Sequence, residues 1–415
     1  MDYLSRLEGY ELNNLSKQLV GPTLVRVDIN VPVRQDGRIN REHPNLRLQT
    51  YGRILDLYSR FSPVVVMAHQ GRRGERDFVK LNDHYNVLGT VIRHGMVEFE
   101  PFVETEDYLT GRLARRIKNL KKGEILLLDN MRYMDCEEKF DAQACPYIDF
   151  FKKAGIRTCV NDGLPLWHRA NSSVMVLPHI ARTYVGVRSN YELGIQEGLI
   201  DGKNGESKAI VIGGKKPKFE AIPKLASKMD LFTGGLTATQ VLRMKGVDLG
   251  ESNNRLLEKL YNKPKENELL AEVVKKFSIE TPKDFVIQDG VSIIKDVALS
   301  ELPKHPDALI KDVGMATVDH YSDKLQAYER RIRAAPMGVY EEGFNNGSEL
   351  VRSIVGPGFV AVGGDTVEEL QDNELGDPII AAGGTVLLGG GAHLDGWAGD
   401  PYPSVDELLK VQKHA

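Results

Sequence analysis

The chain lacks any surplus of charge: 54 Lys and Arg against 58 Asp and Glu leave a formal net charge of -4 over 415 residues. Without a global basic field nothing holds nucleic acid or an anionic membrane surface, so an anion site has to be a local cluster. Cysteine is scarce too. Cys136, Cys145 and Cys159 are three, an odd number without CxxC spacing, which argues against a disulfide framework and a thiolate metal site. They read as free thiols of a reducing compartment, two of them in apolar surroundings that predict burial. No apolar run approaches the roughly 20 residues needed to span a bilayer. The opening MDYLSRLEGYELNN carries charges where a secretory signal needs an apolar stretch. The expectation is a cytoplasmic protein with neither a membrane nor a nucleic-acid partner. Two nucleotide signatures are also missing. Neither GxxxxGK[ST] nor a clean GxGxxG occurs, which excludes a P-loop kinase and an evident dinucleotide dehydrogenase.

What is present is an alternation of short apolar runs and longer helical stretches. In the first half the runs are TLVRVDINV (23–31), PVVVMAHQG (63–71), EILLLDN (124–130) and IRTCVND (156–162). Helical segments such as NLRLQTYGRILDLYSRF (45–61) and CPYIDFFKKAG (145–155) lie between them. The second half repeats the scheme with SKAIVIGG (207–214), MDLFTGG (229–235), KDFVIQDG (283–290), GFVAVGG (358–364) and TVLLGGG (385–391). Near-continuous Val, Ile and Leu mark strands buried on both faces, and therefore parallel sheets covered by helices. A chain of 415 residues exceeds one compact core. The sequence thus predicts an α/β protein of two Rossmann-like three-layer lobes with parallel sheets, joined by a hinge. The lobes are expected at 1–185 and 186–402, with hinges around 183–200 and 334–338. SVDELLKVQKHA at the end reads as an amphipathic helix opened by a Ser N-cap.

Ligands of open parallel sheets bind beyond the carboxyl ends of the strands, and the two halves differ there. The first ends its runs in Asp28 and Asn30, His69 and Arg72, Asn130 and Arg132, Asn161 and Asp162. Together with Arg26, Arg47, His168 and Arg169 these supply a basic set whose planar guanidiniums match carboxylate and phosphate oxygens. So many cations at one sheet edge repel one another unless an anion sits among them. The second half ends in glycines, Gly213-Gly214, Gly234-Gly235, Gly363-Gly364 and Gly389-Gly390-Gly391, which favour backbone contact with nucleotide phosphates at helix starts. Lys215 and Lys216 follow the first pair, within reach of a transferring phosphate, and Asp365 follows the third. A carboxylate beside phosphates is disfavoured unless Mg2+ lies between them. The reading is phosphoryl transfer between a nucleotide and a small anion. Trp167 reads as packing the pocket wall and His393 as an exposed loop residue; Asp135–Glu138 is an acidic loop without metal spacing.

In this order, VRVDINVPV (25–33), AHQGR (68–72), LLLDNMRY (126–133), VNDGLPLWHRANSS (160–173), IGGKK (212–216), FTGGL (232–236), APMGVYE (335–341), GGDT (363–366) and LGGGA (388–392) resemble the phosphoglycerate kinase family. The resemblance runs along nearly the whole chain, and AHQG and TGGL followed by KGVDLG are more similar to archaeal members. It implies reversible transfer between MgATP or ADP and the carboxylate of 3-phosphoglycerate, forming 1,3-bisphosphoglycerate, in glycolysis and gluconeogenesis, by a monomer or homodimer. It also implies that lobe 1–185 holds the acid, that 186–402 holds the nucleotide, and that a helix at 403–415 packs back on the first lobe. By position, Asp28, Asn30, Arg47, His69, Arg72, Arg132 and Arg169 match the family's acid pocket. Gly213, Gly214, Gly234, Gly235, Glu341, Gly363, Gly364, Asp365, Thr366, Gly389, Gly390 and Gly391 match its nucleotide side. Lys216 matches the lysine on the transferring phosphoryl group, Arg47 shares that catalytic role, and Asp365 matches the Mg2+–nucleotide contact.

Three positions depart from the family. Where many members carry a second lysine four residues after the first, this chain has Glu220, with Lys215 and Lys218 as extra cations. Asn-Gly-Pro before Met-Gly reads Ala334-Ala335-Pro336, which removes an amide from the nucleotide side. Gly-Thr-Ala before His-Arg reads Pro165-Leu166-Trp167, and Asn171 stands for a second histidine. These changes leave two other readings open: a same-fold kinase for a different phosphorylated carboxylic acid or nucleotide, and a weakly active nucleotide-binding paralogue.

Overall fold

The computed structural model describes residues 2–39, 45–103, 108–200, 205–214 and 219–412. The chain forms two compact units: one runs to Glu197 and resumes at Asp400, and the other is Gly198–Gly399.

In the first unit the strands are β1 (Thr23–Val27), β2 (Val64–Met67), β3 (Met96–Glu100), β4 (Glu124–Leu128), β5 (Thr158–Asp162) and β6 (Arg182–Val185). They form one sheet in the order β3-β4-β2-β1-β5-β6, with every neighbouring pair parallel. β1, β2 and β5 are buried along their whole length, as strands covered on both faces must be. Leu24, Val65, Met67, Leu126 and Leu128 pack with Tyr147, Ile148 and Phe151 of the helix Pro146–Lys153. The helix Leu46–Ser59 buries Leu48, Tyr51 and Leu55. β1 leads to β2 on one side while its other neighbour, β5, leads to β6 on the opposite side, so the connections run in opposite directions from the β1–β5 pair. That reversal opens a crevice at the carboxyl ends.

The second unit contains β7 (Lys208–Ile212), β8 (Asp230–Thr233), β9 (Ile279–Glu280), β10 (Asp284–Asp289), β11 (Ser292–Ala298), β12 (Leu309–Val313), β13 (Arg330–Ala334), β14 (Phe359–Val362) and β15 (Thr385–Leu387). Its parallel sheet runs β15-β14-β13-β7-β8-β9, so the reversal falls between β7 and β13. KDFVIQDG, grouped above with the parallel runs, instead forms β10 of a separate antiparallel sheet, β11-β10-β12. The reason lies in its own last residues. Asp289 pairs with Ser292, leaving a two-residue loop, Gly290-Val291, with Gly290 at φ +57°, and glycine in the first position of such a loop favours a hairpin.

The division between the units falls inside the helix Val187–Ile200, at Glu197 rather than at 185. Ser189 N donates to Asp162 Oδ1 at 2.8 Å and Tyr402 OH to Gln196 at 2.8 Å, tying most of that helix to the first unit. The final helix, Pro403–Gln412, lies on the same unit: Gln412 Nε2 donates to Pro178 O and Ala181 O at 2.9 and 2.8 Å. It starts one residue before Ser404, whose hydroxyl donates to Trp167 O at 3.3 Å rather than capping the helix. Trp167 itself is buried, edge-on to Tyr402 at 5.9 Å. Cys136, Cys145 and Cys159 are free thiols, the last two buried.

Candidate active site

The carboxyl ends of β1, β2, β4 and β5 bring the basic set into one cluster. Arg47 stands in the first turn of Leu46–Ser59, where Asn45 Oδ1 caps the helix by accepting from Arg47 N at 2.9 Å. Its guanidinium lies 2.8 Å from Asp28 Oδ2 and donates to Asn30 O at 2.7 Å. Asn30 Oδ1 accepts from Gly71 N at 2.8 Å, joining the loops after β1 and β2. Asn130 caps the short turn Met131–Tyr133 that carries Arg132, and its amide donates to Gln70 O at 2.7 Å. Arg169 is half-buried after β5, its Nε donating to His168 Nε2 at 3.2 Å.

Electrostatics confirm the convergence. Burial first, then the fields of Arg26, Arg132, Arg169 and Arg47, holds His69 well below the ordinary histidine value, so its ring is neutral at pH 7. Arg132 is drawn down by burial, with Arg169, Arg26 and Arg72 adding to it. Five guanidiniums (Arg26, Arg47, Arg72, Arg132 and Arg169) are thus set against Asp28 and Glu137. An excess of cations in a half-buried crevice is an arrangement that an anion would relieve. Arg26 differs from the others, because it is fully buried and spends its donors on Ser173, Val27 O, Met67 O and His69. Sequence reasoning saw Arg26 but missed Glu137, Ser173 and Gln70. Gln70 lies inside AHQGR, and Glu137 inside the acidic stretch Asp135–Glu138.

In the second unit the glycines gather at the ends of β7, β8, β14 and β15, but the reason differs from the one expected. The amides of Gly213, Gly214, Gly234 and Gly363 donate to Ala334 O, Pro336 O, Ile212 O and Leu387 O at 2.7–2.9 Å, so they are committed inside the protein. A Cβ at Gly213 would stand 2.1 Å from Pro336 O, and one at Gly234 2.5 Å from Met337 Cγ. These glycines admit the segment 335–338. The helices Gly235–Met244 and Gly364–Asp372 also open at these strand ends, where the amides of a first turn have no intrahelical acceptor. Thr366 is buried, accepting from Ala335 N at 2.7 Å and donating to Val362 O at 2.8 Å. Asp365 and Glu341 are exposed, and both, with Glu368 and Asp372, surround Tyr340, whose phenol burial and these charges push well above its usual value. Among the described residues no group of three or more His, Cys, Asp or Glu is arranged to hold a metal. Lys216 lies outside the described residues, as do Lys215 and Lys218.

Beneath segment 335–338 runs a buried polar network that the sequence did not suggest. Arg333 pairs with Glu369 at 3.0 and 3.1 Å, both fully buried, and also donates to Ala335 O, whose residue sits at φ +70°. Asp312 accepts from Val313 N and Asn346 N at 2.8 Å each, and burial pushes its carboxyl up to about 7. His393, expected on the surface, is fully buried with its ring 5.7 Å from Trp397, because it faces inward from the helix Gly390–Ala398.

An α/β protein of two units, one with a cationic strand-end crevice and the other with glycine-lined strand ends, belongs to the class of phosphotransferases acting on small anions. The family model described as phosphoglycerate kinase matches residues 17–400, and the chain belongs to that family. Relatives named phosphoglycerate kinase include that of Sulfurisphaera tokodaii, 28% identical over 97% of this chain and 95% of the relative. Another, from Methanopyrus kandleri, is 29% identical over 98% of this chain and 97% of the relative. Among solved structures, phosphoglycerate kinase from Pyrococcus horikoshii OT3 shares the fold with a TM-score of 0.83 at 24% identity, covering 98% of this chain and all of the other. That from Coxiella burnetii gives 0.66 at 21% identity, covering 96% and 98%. No helix among the described residues is long and apolar enough to cross a membrane.

Proposed function

We infer that the protein is a phosphoglycerate kinase, a phosphotransferase with a carboxyl group as acceptor, moving a phosphoryl group between MgATP and 3-phosphoglycerate. The observation that carries this reading is the crevice of five guanidiniums and neutral His69 set against Asp28 and Glu137. A ligand with a phosphate at one end and a carboxylate at the other neutralises such a site.

The acid substrate is proposed to bind in the first unit on Asn30, His69, Arg72, Arg132 and Arg169, with Asp28 holding Arg47 in place through their 2.8 Å ion pair. The nucleophile is the substrate's carboxylate, already ionised at pH 7, so no general base is needed. One of its oxygens attacks the γ-phosphorus of ATP, the bond to the β–γ bridging oxygen breaks, and ADP leaves with that electron pair. The barrier is chiefly electrostatic, and Arg47 and Lys216 would neutralise the equatorial oxygens in transit. The nucleotide is proposed to lie on the second unit, its phosphates at the helix starts of Gly235 and Gly364, with Glu341 towards the ribose. Asp365 suits a Mg2+ that arrives with the phosphates, since the described residues there build no metal site of their own.

A coupled assay tests the reading. ATP, Mg2+ and 3-phosphoglycerate are supplied, and 1,3-bisphosphoglycerate is trapped by reduction with NADH consumption as the signal. Steady turnover is expected. Turnover with a different phosphorylated acid alone, or with another nucleoside triphosphate alone, would redirect the substrate assignment. Nucleotide binding with no transfer to any acid would reduce the protein to a binding paralogue.

A further inference from the structure

The floor of the cationic crevice is wired to a buried carboxylate for which phosphoryl transfer has no use. Glu137 is almost wholly buried, and its Oε1 accepts from Ser173 Oγ at 2.6 Å while Oε2 accepts from Ser173 N at 3.0 Å. Having given its one proton to Glu137, the serine hydroxyl offers lone pairs, and it accepts from Arg26 Nε at 2.8 Å. Arg26 Nη1 is taken by Val27 O and Met67 O, and Nη2 lies 2.9 Å from His69 Nδ1.

A guanidinium carries donors and no lone pair. The histidine nitrogen it touches must therefore be the bare one, and the ring's proton must sit on Nε2. A doubly protonated ring would turn donor against donor and cation against cation in a buried place. Nothing among the described residues takes the Nε2 proton.

We propose that Glu137, Ser173 and Arg26 form a positioning relay that fixes His69 as its Nε2–H tautomer, so that His69 meets the substrate anion as a neutral hydrogen-bond donor. The substrate half of this statement rests on the acid-site reading above; the tautomer does not. The charged groups facing the ring all oppose a second proton: Arg26 of β1, Arg47 of Leu46–Ser59, Arg132 after β4 and Arg169 after β5. Asp28 is held by Arg47, and Glu137 stands behind Ser173 and Arg26. The relay makes a residue that usually titrates near neutrality into a constant donor.

The full-length protein labelled with 15N-histidine gives the decisive measurement. Long-range 1H–15N spectra distinguish the two neutral tautomers and the cation, and His69→Gln assigns the ring by loss of its peaks. Between about pH 6 and pH 8 the His69 ring is expected neutral with the proton on Nε2. A proton on Nδ1, or a cation in that range, overturns the proposal. Ser173→Ala removes the acceptor from Arg26 Nε without burying a new charge. It is expected to let His69 sample both tautomers and to raise the 3-phosphoglycerate KM roughly three- to tenfold, with kcat within about twofold. Ser173→Thr is expected to restore both signals. An Ala variant with an unchanged tautomer and unchanged KM would remove Ser173 and Glu137 from the relay. If the tautomer is as stated but 3-phosphoglycerate is never phosphorylated, the relay stands and the substrate reading falls.

Discussion

At the scale of single residues, charge placement governs what each side chain does. Arg47 has a direct carboxylate partner in the crevice, Asp28, 2.8 Å away. If it acts mainly on the phosphoryl group in transit, Arg47→Ala is expected to lower kcat roughly a thousandfold while the nucleotide KM stays near wild type. The orphaned Asp28 should also cost about 3 kcal/mol of stability, read as a lower midpoint in urea. A variant with full kcat would withdraw Arg47 from the chemistry. Asp312 makes a second test. Its carboxyl, ordinarily at 3.8, is pushed by burial to about 7. Between those values the folded protein keeps a proton that the unfolded chain releases, so its contribution is intact at low pH and declines as pH rises to about 7. Asp312→Asn cannot titrate. The wild type should therefore lose stability relative to the variant, by an amount on the order of 4 kcal/mol, between about pH 4 and pH 7. Urea unfolding followed at Trp397, in a Trp167→Phe background, measures it at about pH 4 and about pH 8. A difference independent of pH rejects it.

Elements rather than residues explain the glycines. Gly213 is excluded from bearing a side chain by Pro336 O, 2.1 Å from where its Cβ would stand. Gly213→Ala therefore has to displace segment 335–338 or the end of β7, overpacking that costs about 1–3 kcal/mol. Since that segment borders the proposed nucleotide site, the variant's nucleotide KM should rise while its 3-phosphoglycerate KM stays put. Equal increases in both would place the damage elsewhere. The same scale shows what the sequence could reveal. Apolar runs such as PVVVM and EILLL disclosed β2 and β4 because strands buried on both faces have to be continuously apolar. β3, with its alternating Met96–Glu100, and the polar Arg330–Ala334 of β13 escaped notice. Arg333 on β13 breaks the apolar pattern because its charge is matched inside by Glu369, thirty-six positions away. No local pattern reports a pairing that distant. In the crevice, by contrast, the arginines and His69 were legible, since they sit at strand ends whatever the details. Their wiring through Ser173 to Glu137 was not, because it depends on which way two buried side chains turn.

For the whole molecule, the chain builds two units with separate sheets and separate cores, and each is proposed to take a different ligand. Binding stabilises whatever part of the folded state the ligand touches, so the two substrates should leave distinct footprints in hydrogen exchange. With 3-phosphoglycerate, protection is expected around Arg26–Val31, Met67–Arg72 and Asn130–Tyr133, where the amides of Gly71, Val31 and Arg132 already bond Asn30, Gln70 and Asn130. With MgATP it is expected around Gly234–Thr237, Ala335–Gly338 and Gly363–Thr366, where Thr366 holds Ala335 N. The argument turns on the arginine excess in the first unit: those groups repel one another until an anion arrives, so the acid should slow exchange there at concentrations near its KM and progressively less as salt screens it. Among the described residues the glycine-lined strand ends carry no such cluster of guanidiniums, and protection of Gly234–Thr237 and Gly363–Thr366 by MgATP should depend less on salt. Protection of the crevice by MgATP alone, or of the glycine segments by 3-phosphoglycerate alone, would exchange the roles proposed for the two units.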